Sequence, residues 1–123
     1  MLAWNLNSLA EIALRRDDLA QAELLAREGL TVAREFGDDL GSLLCLAALA
    51  VVASKSGDPR RAGLLWGAAE RLDGELGENL WRGGRSVDEE RLERGVEFER
   101  SRSEGHALSL DDTVEVALTA YLH

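Results

Sequence analysis

The chain has 123 residues, 46% of them hydrophobic, with 14 Lys plus Arg against 23 Asp plus Glu for a formal net charge of −9, and it holds one proline and one cysteine. That is enough for one domain with a modest core. The acidic balance excludes a segment that grips nucleic-acid phosphates, a mode of binding that rests on neutralising negative charge, and a lone cysteine excludes an intramolecular disulfide.

Helix formers dominate and the apolar residues keep helical spacing, which predicts an all-α fold of about six helices. Leu2 to Arg15 reads as the first helix, with Leu6, Leu9, Ala10, Ala13 and Leu14 inward and Arg15-Arg16 where cations suit the C-terminal dipole. The second spans Leu19 to Phe36, with a small, smooth face of Ala22, Leu25, Ala26, Gly29, Leu30 and Ala33, and Gly37-Asp38-Asp39 breaks it. The third, Leu40 to Ser56, has almost no polar face and reads as the buried centre. Its apolar run from Leu43 to Ala53 falls well short of the roughly twenty residues that span a bilayer.

Gly57-Asp58-Pro59 ends that helix and starts the next. Glycine tolerates the left-handed conformation, aspartate caps, and proline at the first helical position loses no hydrogen bond. In the fourth helix Ala62, Leu65, Trp66, Ala69 and Leu72 form the inward face, with Glu70, Arg71 and Asp73 outside it. From Gly74 to Arg85 the pattern dissolves into GELGENLWRGGR, which predicts a long loop. Ser86-x-x-Glu89 reads as a capping box opening a charged fifth helix anchored by Leu92, Val96 and Phe98, with Gly95 inside it and Gly105 as its cap. Ser109-x-x-Asp112 opens a sixth, with Leu110, Val114, Ala117, Leu118 and Tyr121 in one stripe.

Asp17-Asp18-Leu19-Ala20-Gln21-Ala22 matches Gly57-Asp58-Pro59-Arg60-Arg61-Ala62 at an offset of forty, which pairs Leu6 with Leu46, Leu9 with Leu49, Ala13 with Ala53 and Ala26 with Trp66. Such a period predicts stacked helical hairpins. The organisation expected is a hairpin over 1–36, a second over 38–77 and a C-terminal helical pair over 86–123. The small-large alternation resembles tetratricopeptide repeats, with Leu9, Ala10, Ala13, Ala22 and Gly29 at the packing positions of the first copy, and Leu49, Ala50, Ala53, Ala62, Trp66 and Ala69 at those of the second. The period here is longer than the usual one, and Leu6 and Leu46 stand where an aromatic is expected. This resemblance implies an α-α superhelix.

The later two thirds, GDPRRAGLLWGAAERL and then EGHALSLDDTVEVAL, is similar to the C-terminal region of large bacterial regulators of the LuxR and AfsR-like ATPase type. The matching residues are Ala62, Leu65, Gly67, Ala68, Ala69 and Glu70, then Glu104, Gly105, Ala107, Leu108, Ser109, Leu110, Val114, Ala117 and Leu118, with Thr113 in place of the usual alanine. The resemblance implies one part of a transcriptional or signalling regulator whose nucleotide-binding and DNA-binding domains lie elsewhere. A start inside helical pattern, with no charged-then-apolar leader, fits such a piece and a cytoplasmic location.

No catalytic, cofactor or metal set emerges from the residues. Cys45 sits in the all-apolar helix, with no nearby cation to favour a thiolate. His106 reads as a surface or capping residue, and the pairs Asp17-Asp18, Asp38-Asp39 and Asp111-Asp112 coincide with helix starts, where carboxylates belong. The candidate binding residues are Trp81, Arg82 and Arg85. Arg82-Gly83-Gly84-Arg85 reads as an anion nest or a plain turn, and Trp81 as a bundle cap or a groove residue, since tryptophan is enriched in binding grooves. The expected role is a non-enzymatic interaction or regulatory scaffold for a protein partner or for other domains of the parent regulator. A homodimer through the first helix is expected, with no membrane and no nucleic acid contacted by this segment. The alternative is a small-molecule sensor with its effector held between the repeats and the Trp81 loop.

Overall fold

The structure is a computed structural model that describes residues 2–77 and 81–119; the side chains of residues 2, 3, 82, 83, 84, 86 and 119 fall outside the description. Every element in it is a helix: α1 Leu2–Arg15, α2 Leu19–Glu35, α3 Asp39–Lys55, α4 Pro59–Leu76, α5 Arg82–Glu90, α6 Val96–Ala107 and α7 Leu110–Thr119. None of these described helices is long and apolar enough to cross a membrane.

The first three connections are one joint built three times at twenty-residue spacing. Asp17, Gly37 and Gly57 take the left-handed conformation, with φ of 56°, 64° and 82°. The next residue, Asp18, Asp38 or Asp58, then donates its backbone N–H to Ala13, Ala33 or Ala53 at 2.9, 2.8 and 2.9 Å, which closes the preceding helix by satisfying its orphan carbonyl. The side chain of the same aspartate accepts from the backbone N–H of Gln21, Gly41 or Arg61 and so opens the following helix. One aspartate thus ends one helix and starts another, which leaves little freedom in the angle between them. The period of forty is a double period of this unit.

Two antiparallel hairpins result, α1 with α2 and α3 with α4, and they stack. Helix α3 is buried from Gly41 to Ser54 with Leu44 as the one exception, because α1, α2, α4 and α5 all pack against it. Its nearly uniform apolar sequence is what such an environment requires.

After α4 the chain departs from its expected course. Helix α4 continues through Gly74 to Leu76 and ends at Gly77 in the left-handed conformation (φ 67°). Helix α5 begins at Arg82, so the loop predicted over Gly74 to Arg85 shrinks to a short connection, and Ser86 lies inside a helix rather than at its cap. The expected fifth helix is divided at Arg91–Gly95: Leu92 turns into the core, Glu93 N–H donates to Ser54 Oγ at 2.7 Å, and Gly95, in extended conformation, is the N-cap of α6. Seven helices stand among the described residues where about six were expected, and Tyr121 of the expected last stripe lies outside the description.

Helix α5 brings the chain back along α4, so α6 runs in the same direction as α4. Gly63 meets Phe98 and Ser101, Gly67 meets Arg102, and Arg71 reaches the Leu108 carbonyl. This is the most extensive helix pair in the molecule. A Cβ on Gly63, Gly67 or Gly105 would stand 2.3, 2.1 or 2.2 Å from a backbone carbonyl oxygen of the other helix. Gly63-x-x-x-Gly67 facing Ser101-x-x-x-Gly105 therefore lets two backbones touch, and Gly105, expected to cap a helix, is instead a packing residue within α6.

Helix α7 opens at Ser109, whose Oγ accepts from Asp112 N–H at 3.1 Å. It lies across α2 and α4. Arg61 donates to the carbonyls of Val116 and Ala117, at 3.0 and 2.7 Å, and Arg27 to that of Leu118, so cations from two other helices satisfy its C-terminal turn.

Candidate functional site

Two features stand out: a closed ring of charges that fastens α5 and α6 to α4, and an uncovered apolar edge on the first hairpin. Glu70, expected on the outside of α4, is 8% exposed and lies at the centre of the first. Its carboxylate accepts from Arg102 Nε and Nη2 at 2.5 and 2.7 Å and from Arg85 Nη2, and His106 Nε2 stands 3.2 Å away. Beyond Glu70 the chain of pairs continues from Arg85 to Glu89 (2.8 Å), Glu89 to Arg94 (3.6 Å), Arg94 to Glu99 (3.0 Å) and Glu99 back to Arg102 (3.1 Å). Three carboxylates and three guanidiniums alternate around a closed circuit. Each side chain is shared by two neighbours, so ordering it once serves two pairs, unlike an isolated surface bridge.

Burial alone pushes the Glu70 carboxyl up, but hydrogen bonds from Arg102 and His106 and the charges of Arg102 and Arg85 outweigh that and hold it below the ordinary range. Glu99, which is partly exposed, is held down by hydrogen bonds from Arg94 and Arg102. Arg102 is held firmly charged, first by its hydrogen bond to Glu70.

Trp81, one of the candidate binding residues, is 1% exposed and packs its ring against Trp66 with centroids 4.7 Å apart. Arg85, the second, lies over the Trp81 ring at 5.2 Å while pairing with Glu70 and Glu89. The structure therefore places Trp81, just before α5, in the packing against α4, and Arg85, partly exposed, in ion pairs with α4 and within α5. Arg82 starts α5, and its side chain lies outside the description.

A second charged cluster joins α5 to α1. Arg91 Nη1 is 3.0 Å from Glu11 and 3.9 Å from Asp88, so one guanidinium serves two carboxylates. Asp88 is pushed up to about 7, first by burial and then by the Glu11 charge. The Trp81 indole N–H lies near it but makes no hydrogen bond of ordinary geometry, so its help to the ionised form is weak. Cys45 is fully buried, and burial, with the Asp38 charge second, pushes its thiol up to about 12, so it is a packed core group rather than a nucleophile.

The uncovered edge belongs to α1 and α2. Leu9 and Ile12 are 49% and 41% exposed, whereas Leu49 and Val52, their counterparts forty residues on, are 0% and 2% exposed. Together with Ala13 and Leu25 they line a groove of about 220 Å³ between the two helices, with Arg16, Asp18 and Gln21 at its rim. Trp4 is half exposed, and its indole N–H donates to Asp38 Oδ2 at 3.0 Å, which ties the start of α1 to the joint between α2 and α3.

The sequence reading missed the ring because its members are 15 and 32 positions apart around Glu70. The available signal was the pair of small-x-x-x-small stripes, which marks two helices in backbone contact. Comparisons with protein families, with curated proteins and with solved structures found no match to this chain.

Proposed function

We propose that the chain is a non-enzymatic helical-repeat scaffold that holds a protein partner, or the other domains of a bacterial transcriptional or signalling regulator. The observation that carries this reading is the thrice-repeated joint. It stacks hairpins in a fixed register, and arrays of that kind serve by presenting extended surfaces to other proteins. The likeness of the α4 sequence and of the EGHALSL stretch to regulators of the LuxR and AfsR type supports the parentage. The net charge of −9 suits a basic protein surface and disfavours direct nucleic-acid contact.

The test is site-specific photo-crosslinking in cells, with the reactive side chain at exposed positions such as Leu24 and Val96. The reading predicts adducts to a polypeptide that carries a nucleotide-binding or DNA-binding domain. The sensor alternative would replace it if no protein adduct forms at any exposed position and a metabolite raises the melting temperature.

A further inference from the structure

We propose that the uncovered face of α1 and α2 is a self-pairing surface whose occupant is a second copy of this chain, α1 against α1 about a two-fold axis. The inference rests on the scaffold reading and names the partner of one of its surfaces. Within the chain the answer to what covers such a face is already visible: in the second hairpin the equivalent residues Leu49, Val52 and Leu65 are closed off, in a stack whose preceding member is another helical hairpin. The pattern on α1 and α2 is the same, and among the described residues nothing closes it off.

A head-to-tail stack is disfavoured by the opposite end of the array. There α5, α6 and the segment between them close the second hairpin and turn outward Glu93, Arg94, Glu97, Arg100 and Glu104, all exposed, beside two exposed valines, Val87 and Val96. An apolar groove gains little against so predominantly charged a surface. An open face that pairs poorly with the far end of the next molecule can still meet its own kind, and such a contact closes after two copies.

The stripe suits antiparallel self-pairing. Asn5, Leu9, Ile12 and Arg16 follow one another along α1 at helical spacing, so an axis passing between Leu9 and Ile12 sets Leu9 on Ile12 of the other copy. The same axis sets Asn5 opposite Arg16, an amide against a guanidinium, with no like charges in register. Helix α1 holds one acidic and one basic residue, Glu11 and Arg15, in a chain of net charge −9. Two copies therefore approach with little repulsion along this face.

The experiment is light scattering coupled to size exclusion on the full chain at tens of micromolar. Pairing predicts twice the chain mass, and single mass for the double variant Leu9→Glu/Ile12→Glu with helical circular dichroism retained. A wild-type monomer, or a dimer that survives in the folded double variant, overturns the proposal. Should the double variant not fold, a short bis-maleimide decides. The native thiol is buried and silent, Ile12→Cys must give a covalent dimer, and Phe36→Cys, 79% exposed at the end of α2, must not. The reverse pattern, or linkage at neither site, overturns the pairing. A monomer leaves the scaffold reading to its own crosslinking test, which reads contact with a different polypeptide.

Discussion

At the left-handed position of the three joints, Asp17 is the odd residue. It holds φ 56° where the other two use glycine, and a side chain in the left-handed region costs up to about 1–2 kcal/mol, less for aspartate than for most. Its pairing with Lys55 at 3.8 Å is exposed and contributes little. Asp17→Gly is therefore expected to raise stability by about 0.5–1 kcal/mol, read as a higher denaturation midpoint at unchanged slope. An equal loss would show that the aspartate does more than occupy a turn.

Asp88 sets the pH response at the same scale. Its folded-state value is raised to about 7 from 3.8, so between those values the folded chain binds a proton that the unfolded chain has released. Stability must then fall as pH rises from about 4 to about 7, and level off above. Glu70 and Glu99 carry the opposite sign, since they are held low in the fold; their contribution is lost as the medium turns acidic below the ordinary carboxylate range. Denaturation midpoints measured across pH should show the decline between 4 and 7 in the wild type and not in Asp88→Asn. A wild-type profile that is flat there would mean that Arg91 neutralises Asp88 more fully than the geometry indicates.

Among the elements, α1 to α4 were legible and α5 and α6 were not, for a physical reason. The first four helices are bounded by local chemistry, a left-handed residue followed by a capping aspartate, and a reader needs only six or seven consecutive residues to find each joint. Helix α5 has no side-chain cap and contains Gly83 and Gly84, poor helix residues. Its position is decided by Trp81 on Trp66 and by Arg85 on Glu70, contacts that local propensity does not encode. The division at Gly95 likewise depends on Ser54, 39 positions before Glu93. Of the candidate binding residues, Trp81 is buried against Trp66 and Arg85 is partly exposed in the ring around Glu70, so both are engaged within the protein's own packing.

The α4–α6 contact gives a test with an internal control. In Gly67→Ala the new methyl would press on the Arg102 carbonyl, which is backbone and cannot swing aside, whereas in Gly74→Ala it meets nothing within 4 Å. Alanine is favoured over glycine in a helix by about 1 kcal/mol. Gly74→Ala should therefore stabilise by about that amount, while Gly67→Ala should cost about 1–3 kcal/mol as α6 is pushed away. If both variants gain stability, the two backbones are not in contact.

At the scale of the whole molecule the array is asymmetric. One end is closed by α5 and α6 and by a ring of six alternating charges, and the other shows an apolar groove. The parallel course of α4 and α6, with α5 as the return, makes the closed end, and the ring then holds three helices to one buried carboxylate. At the open end Leu9 and Ile12, at the positions of the buried Leu49 and Val52, stand exposed. Under the self-pairing proposed above, this asymmetry makes the α1–α2 edge a surface for a second copy rather than a defect in the core.

The most direct measurement compares one repeat position in its two settings. Leu9→Glu and Leu49→Glu alter equivalent residues, one half exposed and one at 0%. Chemical denaturation at submicromolar concentration, where chain association is weakest, should leave Leu9→Glu within about 0.5 kcal/mol of the wild type. Leu49→Glu, which forces a charge into the core, should lose more than about 3 kcal/mol or fail to fold. Equal and large losses in both would mean that the α1 face is already covered within the fold, and the open-ended array described here would be contradicted.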